Sequence, residues 1–462
     1  MSKNVKYISS THFGAPELKG DVWGHTVNVL RKCLVEGFNI REDVSNIEIL
    51  SVGYIKISFL SPHNFVEDQT IKINGTIFEY VNDEFRVVSF DELTITCEAY
   101  KEFEETYIDT LINSFEGVTV KVAPLGFIEK FRDNNRSVFT TDEDEAYFYI
   151  DDEEPTQWFG SITANMRPAI APLVFMTDKM DNINDYGKFI VPYDSANPTR
   201  FKAKDWLNGT YKQTGLWNWV TYGFQAVISN SNTLLQSQIP TNWTIIGNGR
   251  FFYFITVLSY NNVNYNGYYY FGKPNNTKEN LNDLKYITNT IGYTSVTSSY
   301  QYARFTNIRS KFFLESMITN DSLLNIDIGQ AQMGVLKIQN KSSRIHFNPH
   351  ISIGTNLESG QIDKTHMTYP ENYTKKLYMS DYHITTDYGY IGKLSGAKFI
   401  YNGHALIHTN KLIYKYNKNG KNKKYFCIND DFPLQSAGNS NTISVKKVIF
   451  ISLNNEDWYN YD

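Results

Sequence analysis

Residues 47–60 read IEILSVGYIKISFL. In IEIL and YIKISFL apolar and polar residues alternate with a period of two, and the turn-like SVG lies between them. That is the pattern of two antiparallel strands, each with one face turned to a core. It continues through TIKING (70–75), TIFEY (76–80), FRVVSF (85–90) and LTITCEA (93–99), punctuated by SPHN and VNDE. About six such strands between residues 44 and 122 predict a small antiparallel barrel or sandwich.

Upstream, HFGAPELKGDVWGHTVNVLRKCLVEGFN (12–39) breaks this pattern. Gly20-Asp21 predicts a helix start, with the Asp21 carboxylate accepting from the free amides of the first turn. Trp23, Val27, Leu30 and Leu34 recur at helical spacing and mark the face to be buried, while Arg31, Lys32 and Glu36 fall at its exposed end. Gly37 is a left-handed stop. Downstream the strand pattern resumes. VTVKVA (118–123), AYFYID (146–151), KFIVPY (188–193), RFFYFITVLSY (250–260) and YNGYYYFG (265–272) come first, followed by MGVLKIQ (333–339), RIHFNP (344–349), KLIYKY (411–416), KYFCIN (424–429) and VKKVIFISL (445–453). KEFEETYIDTLINSFEG (101–117) fits either a short helix or a long hairpin arm.

The expected fold is therefore mainly β, several antiparallel β-sandwich or barrel-like domains with a short N-terminal helix. A chain of 462 residues is long enough for two to four domains. The divisions are 1–43, an N-terminal helical docking segment; 44–122, a small antiparallel β domain; 123–310, a central β domain with Asn/Tyr-rich insertions; and 311–462, a C-terminal β domain. The 33 Tyr and 30 Phe fit this reading, because both residues favour strands and large contact surfaces.

Charge excludes one class of function. With 44 basic and 49 acidic residues the net charge is −5, which does not give the broad positive field of non-specific DNA binding. The one basic cluster, KYNKNGKNKKYF (415–426), surrounds an Asn-Gly turn dipeptide and reads as a hairpin tip whose lysines discourage unwanted edge pairing. Cys33, Cys97 and Cys427 fit no zinc spacing and no disulfide framework, so they read as buried thiols of a protein made in a reducing cytoplasm. No signal peptide and no membrane-spanning apolar run is expected.

Motifs that could carry chemistry each have a plainer reading. GNGR (247–250) contains G-x-G, but the strand-like FFYFITVL follows where a phosphate loop needs a helix. TTDEDEAYFYIDDEEP (140–155), with Glu145 and Asp151, could gather a cation or form a carboxylate pair, yet it lacks EF-hand spacing and reads as a strand between solvated turns. The pairs His346/His350 and His404/His408 lack the glutamate of a zinc-protease helix, and strand residues four apart stand roughly 13 Å apart. His383 and Asp387 belong to no nucleophile elbow. His25 and Cys33 lie roughly 12 Å apart along a helix, and His12 precedes it, so they do not converge on one ion. Trp206, Trp217 and Trp219 could stack on sugars or fill an interface. No catalytic residue, cofactor-binding residue or metal ligand is assigned, and no cofactor is expected.

Several stretches together resemble one family. YISSTHFGAPELKGDVWGHTVNVLRKCLVEGFN (7–39) resembles the opening of a family of virion structural proteins of tailed bacteriophages. These begin with an aromatic residue and Ser, then Gly-Ala-Pro-x-Leu, and a short helix ending in Cys-Leu-Val-x-Gly-Phe. VKVAPLGFIEKFRDNNRSVF (120–139) is similar to their Ala-Pro-x-Gly-Trp segment, with Phe127 in place of Trp. AYFYIDD (146–152) is similar to their Tyr-Leu-Arg-Val-Asp-Asp strand, and TNWTIIGNGRFFYFIT (241–256) to their Gly-Asp-Gly-Arg-x-Phe-Tyr stretch. GYIGKLSGAKF (389–399) is similar to a Gly-x-Leu-Pro-Gly segment, with Ser395 at the proline. The order is kept over about residues 1–400, and the insertions 155–240 and 261–340 depart from it.

The resemblance implies a non-enzymatic structural component of a phage particle. On that basis a multi-copy tail, baseplate or neck protein in the virion, made in the bacterial host cytoplasm, is the expected role. Its expected partners are other virion proteins and copies of itself, three or six around the tail axis, with no membrane and no specific nucleic acid. The alternatives are a receptor- or glycan-binding adsorption protein, a capsid decoration protein, and a polysaccharide hydrolase resting on the carboxylates at 142–154.

Overall fold

The computed structural model describes residues 4–19, 22–108, 111–112, 115–141, 147–153, 172–177, 180–184, 240–260, 263–272, 453–455 and the backbone of the other strands named below. The fold is mainly β. Its sheets are antiparallel, and one short helix sits near the N-terminus.

The stretch 47–60 forms the hairpin Val44–Ser51 and Tyr54–Phe59, with Ile47 opposite Ile57 and Ile49 opposite Ile55. It belongs to an eight-stranded sheet curled into a half-barrel. The order is Phe38–Arg41, Thr119–Val122, Thr70–Asn74, Glu84–Phe90, Thr94–Ala99, Tyr54–Phe59, Val44–Ser51 and Leu111–Ile112. Period-two alternation places Ile47, Ile55, Ile57, Ile71, Ile73, Val87, Ile95, Cys97 and Val120 on one face, all fully buried. Within residues 101–117, read as a short helix or a long hairpin arm, the described residues hold one short 3₁₀ turn, Glu105–Tyr107, and the two-residue edge strand Leu111–Ile112.

A six-stranded sheet runs Lys6–Ser9, Trp243–Gly247, Phe252–Tyr260, Val263–Gly272, Lys285–Asn289 and Ser316–Thr319. A five-stranded sheet runs Ile128–Asp133, Arg136–Thr140, Tyr147–Asp151, Leu173–Thr177 and Trp217–Asn218. A second eight-stranded sheet runs Leu324–Ile326, Gly334–Ile338, Lys341–Pro349, Ser380–Thr386, Gly389–Tyr401, Thr442–Ser452, Lys421–Gln435 and Ile413–Lys418. Two small pairs, Phe224–Gln225 with Leu235–Gln236 and Thr355–Asn356 with Gln361–Ile362, complete the strands. KFIVPY (188–193) lies outside the described residues.

The helix α1 (His25–Arg31) continues as a wider π turn over Lys32–Glu36, closed by Gly37 N–H donating to Lys32 C=O at 2.8 Å. It starts four residues later than Gly20-Asp21 suggested. Those two residues lie outside the described set, and Gly24 occupies the N-cap with φ 88°. Trp23 consequently precedes the helix and is half-buried. Val27, Val29, Leu30, Cys33 and Leu34 are fully buried and share one hydrophobic cluster with the inner face of the half-barrel. The same cluster reaches Phe148 and Ile150 of the five-stranded sheet and Trp243, Phe252 and Phe271 of the six-stranded sheet, so one core joins the three. At its centre Phe127 lies 5.6 Å from Phe252 and 5.9 Å from Phe271, and Phe148 lies 5.2 Å from Phe271, ring centre to ring centre. Gly37 (φ 77°) is required where it stands, because a Cβ there would meet Val122 C=O at 2.4 Å.

One ion pair crosses this core. Lys6, fully buried on the edge strand of the six-stranded sheet, donates to Glu84 Oε1 of the half-barrel at 2.5 Å and to the Pro124 carbonyl. Burial lowers the Lys6 pKa, and Glu84 acts against that shift. Removing one partner of such a pair leaves an uncompensated buried charge. Lys6→Met should therefore destabilise the protein by about 3–5 kcal/mol, and Lys6→Met with Glu84→Leu should recover most of that loss. Urea-unfolding midpoints of the two variants check this.

Candidate functional site

The polar groups of the core converge on the two ends of α1. A helix leaves its first amides and last carbonyls without intrahelical partners, and a buried helix must find them elsewhere. At the N-terminal end the donors meet Asp152, fully buried just beyond the strand Tyr147–Asp151. Its Oδ2 accepts from Thr26 N–H at 2.9 Å and Val27 N–H at 3.2 Å. Asp152 N–H donates to Asn135 C=O at 2.9 Å, and Asn135 also presses on Gly24, where a Cβ would come within 2.4 Å of Asn135 Oδ1. A carboxylate here also faces the positive end of the helix dipole.

At the other end the Ala123–Phe127 segment supplies the donors. Leu125 N–H reaches Cys33 C=O at 2.8 Å, and Gly126 and Phe127 N–H both reach Leu34 C=O at 2.9 Å. Lys121 Nζ reaches Glu36 C=O at 2.7 Å. The charged residues read as an exposed end are in fact paired. Arg31 donates to Glu129 Oε1 at 3.0 Å, Ser137 Oγ at 2.8 Å and Arg136 C=O at 2.8 Å. Arg132 joins Glu129 to Glu36, and Glu36 meets Lys32 at 2.7 Å.

The opening motif and the strand leading into Gly-Asn-Gly-Arg meet beside this junction. Trp243, almost fully buried, donates from Nε1 to Pro16 C=O at 3.1 Å, and Thr241 N–H donates to Leu18 C=O at 2.7 Å. GNGR is the turn between Trp243–Gly247 and Phe252–Tyr260: buried Asn248 accepts through Oδ1 from Arg250 N–H at 2.9 Å and Phe251 N–H at 3.2 Å.

The histidines and cysteines near the helix serve packing. His12 is 5 % exposed; its Nδ1 accepts from Ser9 N–H at 3.3 Å, and burial lowers its pKa to about 4. His25 Nδ1 accepts from Lys19 N–H at 3.1 Å, and burial pushes the Cys33 thiol well above its usual range. His12, His25 and Cys33 are not brought together, and among the described residues no three His, Cys, Asp or Glu side chains are grouped to hold a metal ion. Asp151 accepts from Glu153 N–H at 3.0 Å through Oδ1, while Glu145 lies outside the described residues. His346 and His383 sit on paired strands, and Trp217 pairs with Val174. His350, Asp387, His404, His408, Trp206 and Trp219 lie outside the described residues.

Sequence reasoning passed over His63, in the SPHN turn. It is buried, and its Nε2 stands 2.8 Å from Asp91 C=O and 3.2 Å from Thr94 C=O, while Nδ1 accepts from Phe65 N–H at 2.9 Å. Those partners place the proton on Nε2, and burial lowers the His63 pKa against the pull of the two carbonyls.

The surface of the half-barrel is less polar than its charge suggests. Leu60 is 75 % exposed, Phe90 52 % and Leu93 41 %, and they stand on neighbouring strand ends, where Phe59 N–H donates to Leu93 C=O at 2.8 Å. Beside them Arg41 holds Asp43 at 2.5 Å, and that pairing lowers the Asp43 pKa to about 2. Elsewhere on the half-barrel Ile77 is 75 % exposed, next to half-buried Phe78 and Tyr80. Tyr80 stacks on Tyr107 at 4.0 Å, with Phe103 at 6.3 Å beneath. Exposed apolar side chains grouped on strand ends and turns are a feature of interaction sites.

No protein-family model matches this sequence, and no curated protein matches it.

Two measurements check the junction. Asp152→Ala should lower stability by about 1–2 kcal/mol. It should also speed hydrogen exchange at Thr26 and Val27 more than at strand amides. Because His12 takes up its proton near pH 6.5 when unfolded but only near 4 when folded, stability should be full above pH 6.5 and fall as the pH drops toward 4, by about 3 kcal/mol. His12→Gln should flatten that part of the stability–pH profile.

Proposed function

We propose that this chain is a structural component of a tailed-bacteriophage particle, a multi-copy tail, baseplate or neck protein that acts through protein–protein contacts rather than catalysis. On this reading it is made in the bacterial host cytoplasm and carried in the virion, in three or six copies around the tail axis, against other virion proteins.

The observation that carries the reading is the convergence of the resembling segments. The opening Gly-Ala-Pro-x-Leu, the helix, Ala-Pro-Leu-Gly-Phe, the Asp-Asp strand end, and Thr241 and Trp243 of the 241–256 stretch lie far apart in sequence, and they meet around α1, its caps and the segment leading into it. A shared buried junction is a physical reason for those segments to occur together. The groups with reactive potential there, His12, Cys33 and Asp152, are committed to packing and capping, which supports a scaffold rather than a reaction centre. Exposed Leu60, Phe90 and Leu93 supply the anchors that a packed interface uses.

Purified particles from an infected host should yield peptides of this chain at a fixed stoichiometry by quantitative mass spectrometry. Six or twelve copies would place it on the tail axis and hundreds on the capsid surface; absence from intact particles would overturn the reading.

A further inference from the structure

We infer that the patch around Ile77, Tyr80 and Tyr107 is a docking surface for a basic segment of another protein, a stretch in which lysine or arginine side chains flank an apolar one. The inference rests on the reading above, to which it adds the chemistry of one neighbour.

The apolar centre is held in place before any partner arrives. Ile77 is 75 % exposed in the connection between the strands Thr70–Asn74 and Glu84–Phe90. That connection is cross-braced. Thr76 N–H donates to Asn82 Oδ1 at 2.9 Å, Asn82 Nδ2 donates to Thr76 C=O at 2.8 Å, and Thr76 Oγ1 donates to Phe78 C=O at 2.8 Å. The brace fixes the backbone on both sides of Ile77. Next to it Tyr80 stacks on Tyr107 at 4.0 Å with 9° between the ring planes, and Phe78 lies 5.5 Å from Tyr80. Side chains that are already ordered lose little entropy when a partner covers them.

The rim gives the sign of the partner. Glu79 adjoins Tyr80, Glu104 and Glu105 lead into Tyr107, and all three are exposed. They belong to a larger imbalance. Residues 38–122, the span of the half-barrel, hold 16 acidic and 6 basic residues, a net −10 against −5 for the whole chain. Three of those six basic residues are committed elsewhere: Arg41 to Asp43, Arg86 to Leu453 C=O and Lys121 to Glu36 C=O. A surface of that sign repels a second copy of itself and favours a cation. Charge alone would gather cations without orienting them. The braced isoleucine and stacked rings add the apolar centre that a specific interface needs.

Fluorescence anisotropy of the purified full-length chain tests this. The probe is a labelled Lys-Leu-Lys-Leu-Lys peptide, compared with Lys-Ser-Lys-Ser-Lys and Glu-Leu-Glu-Leu-Glu. At roughly 0.05 M salt the first should bind about tenfold or more tighter than either of the others, and roughly 0.5 M salt should weaken it by screening the rim. Ile77→Ser should remove the preference for leucine over serine. Glu79→Lys, Glu104→Lys and Glu105→Lys together should weaken binding about tenfold or more. No binding, equal binding of the serine peptide, equal binding of the glutamate peptide, or binding unmoved by the variants would each overturn the proposal. The three-peptide comparison uses wild type, so it decides the matter even if a variant fails to fold. Sedimentation of the chain alone covers the other occupant: self-association lost in Ile77→Ser would assign the patch to a second copy and overturn the proposal as well. Each of these results leaves the particle reading to mass spectrometry of virions, which tests it separately.

Discussion

A seven-residue helix has almost no stability of its own. Here it is buried, so each amide and carbonyl at its ends needs a partner, and the chain finds those partners far away in sequence. Asp152 serves the first turn, and the backbone of Leu125, Gly126 and Phe127 serves the last. Satisfying both ends together fixes the five-stranded sheet against the start of the helix and the close of the half-barrel against its finish. The loop that caps the helix is itself held from the other side. Its amides point to Cys33 and Leu34, and its Pro124 carbonyl accepts from Lys6, so the six-stranded sheet is tied to the same few peptide units. Much of the arrangement of the three sheets follows from that double requirement.

The cost of this design is charge in the core. Lys6 and Glu84 lose their hydration, and an apolar pair of the same volume would contribute as much to stability. What the ion pair adds is discrimination. A lysine with two acceptors from different elements fits in one place only, whereas a leucine would tolerate sliding. The aromatic cluster of Phe127, Phe148, Phe252 and Phe271 supplies apolar area without directional demand, and the polar contacts set the register in which that area is buried.

Much of this was legible in the sequence and some of it was not, for a consistent reason. Strand alternation at 47–60, the Asn-Gly hairpin and the stop at Gly37 depend on neighbours a few residues away, and each was readable. Asp152 was read as part of a solvated turn, because its partners Thr26 and Val27 lie 125 or more residues away. The helix start was placed at Asp21 by the rule that a cap is local; the observed cap is remote, and Gly24 with its positive φ begins the helix instead. Arg31, Lys32 and Glu36 looked like an exposed end for the same reason, since Glu129 and Arg132 arrive from another sheet. His63 gave only the signal of a polar residue in a turn.

The way polar groups are spent bears on what this chain can do. A reaction centre needs an acid, base or nucleophile held near a substrate with its protonation left adjustable. In the junction around α1 the groups of that kind are fixed: His12 is kept neutral by burial, Cys33 is kept a thiol, and Asp152 has a backbone pair as its partner. Fixing them makes the core rigid and leaves it little to offer a small molecule. The adjustable chemistry of the half-barrel lies outside, in exposed leucines, phenylalanines, stacked tyrosines and glutamates on short strand ends and tight turns. Such positions can change without disturbing the caps, so a chain built this way can keep one internal frame while its contact surfaces are refitted to different neighbours. That division of labour supports the proposed reading of a part held, in register, by other proteins.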